Sequence, residues 1–110
     1  MIYLASPYYH PKSHVREERF IAVCEYAAHL FRQGELVLSP IAHSHSIALA
    51  GTLPKEWSYW EKFDTELIQA CSKVLVLKLD GWEESVGIRN EINIALKLGK
   101  PVEYAEPETA

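Results

Sequence analysis

Residues 73–98 read KVLVLKLDGWEESVGIRNEINIALKL, and their patterning decides the fold class. KVLVLKL, at 73–79, is a near-continuous apolar run, the pattern of a strand covered on both faces. LDGWEES then interrupts it with an Asp-Gly turn pair and acidic residues. From Ser85 onward the apolar residues recur at helical spacing, and Gly99 is the stop signal. With Val86 at zero and about 100° per residue, Ile88, Ile92, Ile94, Ala95, Leu96 and Leu98 span an arc from roughly 80° to roughly 280°. Glu91 falls near 140° on the same scale, inside the apolar arc. A carboxylate facing a core needs either a partner or a purpose.

Working outward, MIYLA at the start is a short apolar strand, and the two prolines of SPYYHPKSH (6–14) mark an irregular loop. Phe20, Cys24, Ala27, Ala28 and Phe31 recur at three and four between Val15 and Gln33, which predicts a long first helix stopped at Gly34. ELVLSP (35–40) is a second strand that ends in Ser-Pro, as the first does. IAHSHSIALAGTLP (41–54) reads as a longer connection to a helix from about Glu56 to Cys71. KVLVLKL is the third strand, the stretch from Ser85 the third helix, and PVEY (101–104) the fourth strand. Strand and helix thus alternate, which predicts an α/β, doubly wound, flavodoxin- or Rossmann-like parallel sheet of four to five strands with helices on both faces. One domain over residues 1–104 is expected, with AEPETA (105–110) as an acidic, frayed tail.

The 110 residues are 48% hydrophobic and 24% charged, enough for one core and too few for two domains. A formal net charge of −4, with no run of lysine or arginine, argues against nucleic acid as a partner. No segment approaches the roughly 20 apolar residues that span a bilayer, and the N-terminus lacks a basic region followed by an apolar one, so no membrane partner and a cytoplasmic location are expected. Cys24 and Cys71 read as small apolar residues on helix faces. Neither a metal nor a cofactor is expected: His43 and His45 alternate as on an extended segment and lack a neighbouring Cys or Asp cluster.

In doubly wound sheets ligands bind beyond the carboxyl ends of the strands, so SPYYHPKSH, SPIAHSHS and LDGWEES should share one rim. The helix before the third strand matches the oddity at Glu91, because Asp64 lies within the stripe of Trp57, Trp60, Phe63, Leu67, Ile68 and Cys71. Each acid alone can be a buried carboxylate satisfied by an amide or an arginine. Two on adjacent helices suit proton chemistry better, since burial raises their pKa values and mutual repulsion separates them into donor and base or nucleophile. That division fits cleavage of a glycosidic bond, where retaining enzymes hold the two carboxyls roughly 5 Å apart.

SVGIRNEINIA (85–95) resembles the Ser/Asp-x-Gly-x-x-x-Glu-x-x-x-Ala pattern of the nucleoside 2-deoxyribosyltransferase superfamily, which includes 2′-deoxynucleoside 5′-phosphate N-hydrolases. FDTELIQACSKVLVL (63–77) is similar to the segment that precedes it, and IYLASPY, SPIAHSH and LDGWEES look like a short bacterial and phage subgroup of unknown function. The resemblance implies that Glu91 is the nucleophile of a covalent deoxyribosyl intermediate, that Asp64 assists it, and that Gly87 belongs to the same motif. Ser85 stands where the transferases carry aspartate, as in the nucleotide hydrolases; a hydroxyl at a helix N-terminus can donate to a phosphate. The hydrolases' glycine-rich loop after strand one is replaced here by SPYYHPKSH, and glycines flanking their glutamate by Arg89 and Asn93. Superfamily members also complete their sites with a neighbouring subunit, which implies a homo-oligomer.

Further ligand contacts are expected from the loops. Tyr8 could stack on a base or reach the nucleophile, or simply pack on the neighbouring loop. His43 and His45 are read as loop histidines facing the ligand. Asp80 could bind a hydroxyl or base edge, or serve only its Asp-Gly turn. Trp82 is the tryptophan placed for base stacking, while Trp57 and Trp60 read as core or interface. Ser6, like Ser39, is chiefly a turn former with a secondary role in binding. Two functions remain open: an N-glycosidase or deoxyribosyltransferase acting on a nucleoside or nucleoside 5′-monophosphate, and a non-catalytic nucleotide-binding or sensing module with the same pocket.

Overall fold

The pleat of the apolar strands divides their side chains between two separate cores. Tyr3, Ala5, Val74 and Val76 enter one layer, and Ile2, Leu4, Leu75 and Leu77 enter the other. A computed structural model describes residues 1–109. In chain order it contains β1 (Ile2–Ala5), α1 (Ser13–Arg32), β2 (Val37–Leu38), α2 (Pro40–Gly51), α3 (Trp57–Ala70), β3 (Lys73–Leu77), α4 (Val86–Lys97) and β4 (Val102–Ala105). The strands form one parallel sheet in the order β2-β1-β3-β4, with Tyr3 beside Val74 and Ala5 beside Val76. Helix α1 covers one face through Val23, Tyr26 and Leu30, and α3 and α4 cover the other through Ile68, Ile88 and Ala95. The fold is therefore α/β and doubly wound, with four strands. Among the described residues no helix is long and apolar enough to cross a membrane.

This strand order reverses direction between β1 and β3, which places the crevice of such folds beside the ends of those two strands. The loops that follow them lie on one rim, but the segment after β2 is not the expected connection. It is helix α2, so the reading of residues 41–54 as a longer connection, with His43 and His45 alternating as on an extended segment, is corrected. Ser39 ends β2's segment and caps α2, its Oγ accepting from the Ala42 amide at 3.1 Å, and Pro40 occupies the first turn. Serine at the cap followed by proline is a helix start, because proline's missing N–H falls where no intrahelical bond is made. Ile47 and Leu49 are exposed on this helix, so no single apolar stripe announces it.

The C-terminal segment also departs from the frayed tail expected at 105–110. Ala105 belongs to β4 and its carbonyl accepts from the Lys78 amide at 2.9 Å; Lys78 pairs with Glu106, and a 3-10 turn follows at Pro107–Thr109. Ala110 lies outside the described residues.

Replacing Ser39 by alanine removes one cap from α2 without touching either core. The Ser39→Ala protein should lose about 1 kcal/mol of stability in urea denaturation at unchanged m-value. An unaltered midpoint would show that the cap does not hold α2.

Candidate functional site

Helix α4 begins at a capped turn: Ser85 Oγ accepts from the Ile88 amide at 3.2 Å. Gly87 and Glu91, four residues apart, share one helix face, and that face looks toward the sheet and α3. Glu91 is only 5% exposed, and the Tyr3 hydroxyl from the middle of β1 donates to its Oε2. Asp64, 9% exposed, comes from α3. Both carboxyls border one cavity of about 490 Å³, which also reaches Ser6 and Tyr8 after β1, Pro40 after β2 and Ser85 after β3. The cavity thus sits on the rim that the strand order designates.

Burial governs the acids. It pushes Asp64 up from the usual carboxylate value to about 7. Glu91 is held well above its ordinary range, first by burial; the Tyr3 hydrogen bond works against this and the nearby Asp64 charge adds to it. Tyr3 itself is raised by burial and by the two acids, so it remains a neutral donor. A hydroxyl that donates to a carboxylate favours its charged form. At Glu91 burial outweighs that bond, so both acids hold their protons more tightly than ordinary carboxyls do.

The rest of the wall is largely apolar and aromatic, with Trp57, Trp60, Ile41 and Ala48 contributing. Trp60 is oriented by its indole N–H, which donates to the Pro54 carbonyl at 2.8 Å. At Gly87 an added Cβ would lie 3.7 Å from the Trp57 ring and 4.0 Å from Glu91 Oε1, so the absent side chain keeps space open beside the carboxylate. Ser6 is 4% exposed, and its Oγ and that of Ser44 are buried without a hydrogen-bond partner among the described residues. Both residues border the cavity, with these two oxygens themselves covered by protein atoms. On the α1 side, the Tyr8 hydroxyl lies 2.7 Å from His45 Nδ1, and His45 Nε2 lies 2.8 Å from Glu17 Oε2.

Of the residues singled out in the sequence, Glu91, Asp64, Ser6, Tyr8, Ser85, Gly87 and His45 surround this cavity. His43, Asp80 and Trp82 lie outside its wall. Two residues along a helix amount to about 200° of rotation, so α2 turns His43 away from His45. His43 instead stacks near Phe63 at 5.4 Å. Asp80 lines a separate hollow with Arg19, which donates to the Asp80 carbonyl at 3.2 Å. Its neighbour Gly81 adopts φ 89°, the conformation that glycine suits, in keeping with a turn. Trp82 packs on the α3/α4 core, 5.8 Å from Tyr104 and with the Lys78 ammonium 5.9 Å above its ring. Among the described residues no cluster of three or more metal-ligating side chains occurs.

Residues that went unnoticed in the sequence complete the site. Tyr3 carries a signal, since a tyrosine within a buried strand must find a partner for its hydroxyl. Trp57 and Trp60, read as core or interface, share Asp64's helical stripe and so share its cavity. Glu17 and Ser44 carry no such signal, because their roles arise from α2 packing beside α1.

The chain belongs to the family described as Domain of unknown function (DUF1937), whose profile matches residues 1–106. No curated protein matches it.

The elevated Asp64 pKa predicts a pH dependence of stability. Folded Asp64 keeps its proton up to about 7, whereas the unfolded chain releases it near 3.8, so the folded state binds more protons between those values. Its contribution is therefore full below the lower value, declines by up to about 1.4 kcal/mol per pH unit across the window, and is gone above it. Denaturation of wild type and Asp64→Asn from acid to neutral pH should show the variant gaining relative stability as pH rises. Parallel profiles would place Asp64 in an ordinary, solvated environment.

Proposed function

We propose that this protein cleaves or transfers the N-glycosidic bond of a nucleoside or nucleoside 5′-monophosphate with retention of configuration. Glu91 attacks the anomeric carbon as the bond to the base breaks, and Asp64 gives its proton to the departing base nitrogen. The product is a sugar ester on Glu91, with Asp64 now a carboxylate. Asp64 then accepts a proton from water, which releases the free sugar, or from the N–H of a second base, which forms a new nucleoside. The observation that carries this reading is the convergence of Glu91 and Asp64 on one cavity, where the Tyr3 hydroxyl donates to Glu91 and so favours the charge that Glu91 must carry when it attacks. The resemblance of residues 85–95 to the deoxyribosyltransferase motif supports the same assignment.

The surrounding wall suits the substrate. Trp57 and Trp60 provide flat apolar surface for a base. Ser85 spends a lone pair on its own helix and keeps its O–H free, beside the amides of α4's first turn, for a 5′-phosphate. A nucleotide-binding or sensing module is the competing reading, and burial gives it its one support: an acid held well above its ordinary pKa resists becoming a nucleophile.

Incubation with a panel of nucleosides and 5′-monophosphates, followed by chromatography of free base, separates the two. Wild type should release base, Glu91→Gln should be slower by at least about a thousandfold, and Asp64→Asn by about a hundredfold or more. Tight binding of a nucleotide by both wild type and Glu91→Gln, with no base released by either, would establish the sensor instead.

A further inference from the structure

The cavity wall carries a hydrogen-bonded chain that the two carboxyls do not use. Glu17 and Phe20 share a face of α1, His45 comes from α2, and Tyr8 comes from the loop after β1. His45 is 4% exposed, stacked on Phe20 at a centroid distance of 4.1 Å and met edge-on by Tyr8. Packing therefore fixes the imidazole, and its two nitrogens face different partners: Nε2 faces Glu17 and Nδ1 faces Tyr8.

An ionised carboxylate only accepts hydrogen bonds. Glu17 is 52% exposed, where the charged form is well solvated. In the neutral imidazole the single ring proton must then sit on Nε2, which leaves Nδ1 an acceptor and obliges the Tyr8 hydroxyl to donate to it. Tyr8 borders the cavity, and with its proton committed to His45 it can meet a ligand only through oxygen lone pairs. The guanidinium of Arg16, a donor without acceptor capacity, acts on the same hydroxyl and draws on one of its two lone pairs, so His45 is what decides where the O–H points.

We infer that Glu17 and His45 set Tyr8 as an acceptor-only contact, so that the cavity selects a ligand presenting an N–H donor there, such as the exocyclic amino group of adenine or cytosine, over its carbonyl counterpart. The choice of a nucleobase rests on the function proposed above; the polarity of Tyr8 rests on the chain itself. Glu17 and His45 are positioning residues, and Tyr8 is the group that touches the ligand.

Position 17 allows the polarity to be reversed. Lysine there is donor-only, so Glu17→Lys would draw the Nε2 lone pair, move the ring proton to Nδ1, and leave Tyr8 accepting from His45 with its O–H free for the cavity. ¹⁵N NMR of the neutral His45 ring should find the proton on Nε2 in wild type and on Nδ1 in Glu17→Lys. Calorimetric binding of the matched pairs adenosine and inosine, and cytidine and uridine, should favour the amino member of at least one pair by about tenfold or more in wild type, since a mismatched contact strands a buried polar group. Tyr8→Phe should abolish that preference, and Glu17→Lys should shrink or reverse it. A wild-type ring proton on Nδ1, equal binding within both pairs, or a preference unchanged in Glu17→Lys overturns the inference. If none of the four nucleosides binds, a nucleobase is the wrong ligand, while base release in the separate panel judges the catalytic reading.

Discussion

Glu91 sits in an apolar layer, and the chemistry of the site depends on how that carboxyl is accommodated. Taking an isolated carboxylate out of water costs several kcal/mol even after relaxation. One hydrogen bond from a neutral hydroxyl to a charged acceptor returns about 1.5–3 kcal/mol, less than the cost. Tyr3 alone therefore lowers the penalty at Glu91 without abolishing it. With Asp64 buried beside the same cavity, full ionisation of both acids would double the penalty and add repulsion, so the pair retains a proton. A charged group and a protonated group facing one space is the division of labour that acid–base chemistry requires.

The fold supplies this arrangement through features that are each local. Alternation along β1 sends Tyr3 to the α3/α4 side and Leu4 to the α1 side, so the hydroxyl arrives at Glu91 by register. Two serine caps, Ser39 on α2 and Ser85 on α4, start helices at the sheet's carboxyl rim. Glycine at 87 keeps room between Trp57 and Glu91. The aromatic wall comes from the same turns of α3 that bring Asp64 inward.

The strongly patterned parts of this architecture were legible in the sequence. KVLVLKL and IYLA lack alternation because both faces are covered, and that, with strands and helices following one another in turn, indicated the parallel sheet. Glu91 and Asp64 stood out because an acid breaks an apolar stripe visibly. Helix α2 did not, since its small and polar residues spread around the axis and only the Ser-Pro start marks it. Missing it left His43 and His45 on the same footing, whereas helical rotation separates them and takes only His45 to the cavity wall. Asp80 and Trp82 share the rim loop but point into other packing, a matter of side-chain direction that loop sequence does not encode. Glu17 was beyond reach for a different reason: its partner is 28 residues away and meets it only through the packing of α1 and α2.

The proposed reaction stands on a covalent bond between Glu91 and the sugar. That bond can be sought by mass spectrometry of the protein incubated with 2-deoxy-2-fluoro nucleosides and their 5′-phosphates, whose fluorine slows breakdown of a glycosyl ester. An adduct of one fluorosugar per chain is expected, mapped by fragmentation to Glu91 and absent from Glu91→Gln. Base release without any adduct, or an adduct on a different side chain, would rule out Glu91 as the nucleophile.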